Sequence, residues 1–146
     1  MKNRNVLALA LSAVLLYLLA VAQHAAAGQL DIVIEEIAAT EGHLRVQILQ
    51  SEGAFRGEET AVAQMSTPAL EGTVRLSVTL PPGQYGIRVL HDRNGNGELD
   101  TNMLGMPREP YGFSNNATGN FGPPVWRDLL FDVVNDPVLQ RIALTP

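Results

Sequence analysis

From Leu30 to the C-terminus, apolar side chains keep returning at every second position. Leu30, Ile32 and Ile34 alternate with Asp31, Val33 and Glu35. Successive side chains of a strand point to opposite faces, so a period of two builds strands with one dry face. Amphipathic helices, whose apolar residues recur at three and four, are excluded over the same stretches. Leu44, Val46 and Ile48 continue the pattern, as do Val74, Leu76, Val78 and Leu80, then Tyr85, Ile87 and Val89. Leu129, Phe131 and Val133 form a fifth such run, and Leu139, Ile142 and Leu144 a less regular sixth. A weaker seventh strand is read at 61–65. Strands with one wet face and turn clusters between them predict an all-β, antiparallel Greek-key β-sandwich of the immunoglobulin or prealbumin kind, with about seven strands.

Residues 1–27 are read as a signal peptide helix. Lys2 and Arg4 form a positive start, residues 6–22 are apolar apart from Ser12 and Tyr17, and Ala25-Ala26-Ala27 offers the small residues that a signal peptidase needs. An uncleaved anchor is the competing reading, since the apolar run approaches spanning length. Gly28 would open a single mature domain, 28–146, of 119 of the 146 residues. Export to the periplasm or the medium follows, with no stable membrane anchor after cleavage. A lipid-modified N-terminus needs a cysteine, and the chain has none.

Charge narrows the partners. Two of the 10 Lys and Arg residues leave with the leader, so 8 face 15 acidic residues, a net of −7. That balance disfavours nucleic acid and anionic membrane surfaces, which attract basic patches. Without cysteines, stability in an oxidising compartment must come from the core.

The connection 92–126 is too long to be a simple turn, and its apolar content, including Met103, Leu104, Tyr111, Phe113, Phe121 and Trp126, predicts an ordered loop folded over one end of the sandwich. It opens with Asp92-Arg93-Asn94-Gly95-Asn96-Gly97-Glu98-Leu99-Asp100. Oxygen-bearing side chains stand at relative positions 1, 3, 5 and 9, with glycine at 6, as at the start of an EF-hand loop. On this reading Asp92, Asn94, Asn96 and Asp100, with the Glu98 carbonyl, hold one Ca²⁺. Position 12 is Met103 where a bidentate glutamate is required, so Glu109 or Asp128 would have to be borrowed. Affinity would be weak, about 10⁻⁴–10⁻³ M. A metal-free turn fits the same residues, because Asn-Gly pairs and Asx side chains stabilise turns unaided.

Further along, Tyr111, Phe113, Asn115, Asn116 and Trp126 combine flat rings with amides, the chemistry of a face that binds a small molecule, a glycan or a protein. The alternative is a self-packing loop whose rings plug the sandwich end. Catalysis finds little material. His43 and His91 are the only histidines after residue 27, and there is no thiol. A hydrolase built on Ser114, His91 and a carboxylate is a remote third reading; Asn116 replaces the second glycine of a nucleophile elbow. The Pro81-Pro82-Gly83-Gln84-Tyr85 corner delivers Tyr85 to a strand start, where its hydroxyl can bond a nearby backbone carbonyl.

The run His91-Asp92, Asn94, Asn96-Gly97, Leu99-Asp100, Asn102, Gly105, Pro107, Glu109 and Tyr111-Gly112-Phe113-Ser114-Asn115-Asn116 resembles the hallmark of a bacterial family of secreted proteins known as domain of unknown function 2141. Leu80-Pro81-Pro82-Gly83-Gln84-Tyr85 and Phe121-Gly122-Pro123-Pro124 fit it too. The resemblance implies a small exported β-sandwich and brings no activity with it. Two expectations stand: a non-catalytic exported module whose Asp/Asn/Gly loop binds calcium and orders a binding loop, and a metal-free structural or interaction domain of the periplasm.

Overall fold

A computed structural model describes residues 27–120 and 122–145; residues 1–26 of the expected leader lie outside them, as does Phe121. Among the described residues eight strands form two sheets: β1 Gly28–Ile37, β2 His43–Leu49, β3 Ala63–Pro68, β4 Gly72–Leu80, β5 Gly83–Asp92, β6 Tyr111–Phe113, β7 Phe131–Val133 and β8 Val138–Ala143. One sheet runs β4-β1-β8; the other runs β3-β2-β5-β6, with β7 also paired to β5. The protein is a β-sandwich, as the period-two pattern requires.

Register keeps that pattern aligned. Leu30 lies opposite Val78 and Ile32 opposite Leu76, while Val46 faces Val89 and Ile48 faces Ile87 across the other sheet. Leu30, Ile32, Ile34, Leu44, Val46, Ile48, Ile87 and Val89 are fully buried. Each such side chain contributes about 1.5–3 kcal/mol by leaving water. Leu76 and Val78, expected in the core, are only half-buried because β4 is an edge strand.

Three local readings are corrected. The sheets are not wholly antiparallel: β8 runs parallel to β1, Leu30 beside Val138 and Ile34 beside Ile142. The chain leaves β7 in one sheet and crosses to the other before β8, and that crossover sets the direction. Leu139 points out, 51% exposed, while Gln140 is buried in its stead, which is why the last strand looked irregular in the sequence. Leu129 belongs to a one-turn helix, α2 Trp126–Leu129, and not to a strand; the weaker seventh strand read at 61–65 is β3, preceded by a short helix α1, Glu52–Arg56. Ser51 caps α1 by accepting the N–H of Ala54, and Gly57 closes it in the left-handed region.

Tyr85 sits where the Pro-Pro-Gly corner places it. Its ring is buried, and its hydroxyl donates to the Pro81 carbonyl at 2.9 Å. Burial raises the phenol's pKa above its ordinary value.

Candidate functional site

Asp92 ends β5 with its carboxylate wholly buried. Oδ1 accepts the N–H of Gly95 at 2.8 Å, and Oδ2 accepts that of Gly97 at 2.9 Å. Gly97 has φ +84°, a conformation that side chains rarely adopt, so the loop needs glycine there. Oδ2 also accepts Nε of Arg45, from β2, at 2.5 Å. Burial works against the charge on Asp92, but the Arg45 bond, the Gly97 and Gly95 N–H groups and the Arg45 charge outweigh it and hold its pKa below the ordinary value.

The rest of the loop is built from its own side chains. Asn94 Oδ1 accepts the N–H of Asn96, and Asn96 Oδ1 accepts that of Glu98, whose side chain is exposed. The two amide nitrogens then donate to Asp100, Asn94 to Oδ2 at 2.5 Å and Asn96 to Oδ1 at 3.1 Å. Glu109 is buried and spans the loop's base, accepting the N–H of Arg93 at 2.8 Å and of Asp100 at 3.2 Å. Asp128 lies on α2, beside Arg127. Thus Asp92, Asn94, Asn96 and Asp100 do gather, but their oxygens are spent on backbone N–H groups, amide nitrogens and one guanidinium. Among the described residues no group of three or more His, Asp or Glu side chains is placed to hold a metal ion.

Beyond this frame the chain makes a narrow hairpin. Thr101 bridges Pro107, Asn102 N–H donates to the Met106 carbonyl, and Asn102 Oδ1 accepts the N–H groups of Leu104 at 2.9 Å and Met106 at 3.0 Å. The tip is apolar and in water. Met103 is fully exposed, Leu104 is 87% exposed and Met106 60%. This corrects the expectation that these residues fold back over the sandwich: Asn102 satisfies the tip's N–H groups locally, so the hairpin holds its shape without a miniature core.

The aromatic and amide residues are used differently. Phe113 packs edge-on against Phe55 at 5.9 Å and against Tyr111 at 5.7 Å, and Trp126 lies 6.0 Å from Phe55. Gly86 lets the indole approach; a Cβ there would come within 2.6 Å of it. Asn115 donates to the carbonyls of Asp128 and Leu130, and its own N–H goes to Gln140. Asn116 Oδ1 accepts the N–H of Ala143. Together they tie the loop to α2 and β8.

Ser114 is buried, accepting the N–H of Ile87 at 2.9 Å and donating to the Leu129 carbonyl at 2.6 Å. Those bonds occupy the hydroxyl that a hydrolase would have to present. His91 is equally buried: Nε2 bonds the Glu41 carbonyl at 2.8 Å and therefore carries the hydrogen, while Nδ1 has no partner among the described residues. Sequence reasoning missed Arg45, which arrives from another strand, and Asn102, whose turn-capping role was legible from Asn-x-x-Gly.

A two-sheet sandwich carrying an Asx-framed loop with an apolar tip is the class that fold and site define. The particular family follows from residues 32–140, which match the model of a bacterial family described as "Uncharacterized protein conserved in bacteria (DUF2141)". The chain belongs to that family. No curated protein and no solved structure matches it.

Proposed function

We propose that this chain is an exported, non-catalytic interaction module that docks a protein partner through the hairpin tip of Met103, Leu104 and Met106. One observation carries the reading: three large apolar side chains, each at least 60% exposed, stand on a hairpin whose backbone is fixed by Asn102 and whose base is fixed by Asp92 and Glu109. Contiguous exposed apolar surface is avoided unless something covers it. Burying one such side chain gains about 1.5–3 kcal/mol, and a preformed tip loses little entropy on docking. The net charge of −7 after residues 1–27 favours a protein over an anionic bilayer as the covering surface.

The test places a photo-crosslinking residue at Met106 in the exporting cell. A discrete crosslinked protein is expected, and it should disappear with Met103→Ser/Leu104→Ser while the unfolding midpoint stays unchanged. The absence of any crosslinked protein, or a product indifferent to the serines, rejects the reading.

Calcium in the same loop is a second reading, favoured by the way Asn94, Asn96 and Asp100 converge. It requires both amides to turn end for end and Arg45 to release Asp92. Arg45 supplies the positive charge there already, so the metal-free form is preferred.

A further inference from the structure

The two long sides of the sandwich are finished differently. On one side the sheets are laced together: Thr145 N–H donates to the Tyr111 carbonyl at 2.8 Å, and Tyr111 N–H returns to Thr145 at 3.4 Å. Asn115 and Asn116 cover the adjoining edge of β8 through Gln140 and Ala143. On the other side, among the described residues, β4 pairs with β1 alone and β3 with β2 alone. The β4 edge is nine residues long and carries one charge, Arg75, with no proline and no lysine. Natural edges of this length are normally guarded by such residues. Between the two free edges runs a seam of half-buried apolar side chains, Ala63 and Met65 from β3 and Leu76 and Val78 from β4.

We infer that a second copy of this chain pairs with β4, antiparallel and centred on Leu76, joining two three-stranded sheets into one of six strands. The sequence of β4 is self-complementary in that register. Val74 meets Val78, Thr73 meets Thr79 and Arg75 meets Ser77, pairs of the kind that stabilise adjacent strands. Charge selects the same register. Ser77 donates to Asp31 Oδ1 at 2.5 Å, and Asp31 is its neighbour on β1. The Arg75 of one copy therefore points along the row towards the Ser77–Asp31 pair of the other, twice per interface by symmetry. Shifting the register by two residues would set Arg75 against its own copy or against Thr79, losing that match. A heterologous strand would gain the same backbone bonds, but only a second copy brings the Arg75 and Asp31 charges that match this edge.

The experiment uses protein purified as its host processes it, weighed by light scattering and sedimentation over a hundredfold concentration range. A dimer is expected. Arg75→Glu should weaken it about tenfold or more, since it brings like charges together across the pair. The swap Arg75→Glu/Asp31→Arg should restore it. Both positions are solvent-facing, and circular dichroism checks that each variant folds. A wild type that stays monomeric throughout, or a dimer indifferent to Arg75→Glu, overturns the inference. Dissociation that the swap does not rescue overturns the Leu76-centred register.

Discussion

Arg45 Nε lies 2.5 Å from Oδ2 of Asp92, so a residue in the middle of β2 holds the first residue of a loop that begins at the end of β5. Asp92 is wholly buried while the Arg45 side chain is 42% exposed. The pair is therefore asymmetric: the guanidinium keeps part of its hydration, and the carboxylate depends on its partners. Asp92→Ala should cost about 3–5 kcal/mol, because it removes three charge-assisted hydrogen bonds at once, each worth about 1.5–3 kcal/mol, partly offset as Arg45 and the exposed Gly95 and Gly97 N–H groups regain water. Arg45→Met should cost less, about 1.5–3 kcal/mol, because the Gly95 and Gly97 N–H groups still serve the carboxylate. Urea unfolding of both variants and the double variant measures the coupling.

Acid should loosen the same loop. The pKa of Asp92 is depressed on folding, so its charged form stabilises the folded state. That stability is fully present above the unfolded carboxylate value of about 4 and is lost as pH falls through the lower folded value. Thermal midpoints should thus show a contribution that is flat above about pH 5 and lost below about pH 4. Asp92→Asn should remove part of that acid limb and leave the neutral region flat.

Millimolar calcium against a chelator should leave the wild-type midpoint where it is, within about 1 °C. The positive charge at Asp92 is Arg45, and the oxygens of Asn94 and Asn96 are bonded to backbone N–H groups. A calcium-dependent rise that Asp92→Ala abolishes would instead establish the metal site. By linkage, tenfold saturation corresponds to about 1.4 kcal/mol.

Ser114 and Tyr85 offer a comparison of two hydroxyls. Ser114→Ala would leave the Ile87 N–H and the Leu129 carbonyl buried without partners, a loss of about 2–6 kcal/mol at about 1–3 for each group. Tyr85→Phe frees only the carbonyl of exposed Pro81, which water can reach, so about 0.5–1.5 kcal/mol is expected. Denaturant unfolding should rank Ser114→Ala as the more damaging.

Period-two alternation determined the sandwich by itself, because a strand offers only two faces and one of them must be dry. Leu30, Ile32, Leu44, Val46, Ile87 and Val89 are buried for that reason alone, and Pro81-Pro82-Gly83 led Tyr85 to its corner by local turn geometry. Asp92, Asn94, Asn96 and Gly97 likewise specify a tight loop from their own spacing. Tertiary structure decided the rest. Arg45 reaches Asp92 from 47 residues away, a separation that no local pattern encodes. The parallel pairing of β8 depends on a crossover between sheets, and the inward turn of Gln140 depends on Asn115 being there to meet it. Burial of Phe113 and exposure of Met103 look alike in the sequence, since both are apolar residues in one long connection. What separates them is that Phe113 lands on Phe55, whereas Asn102 lets the tip stand in water unsupported.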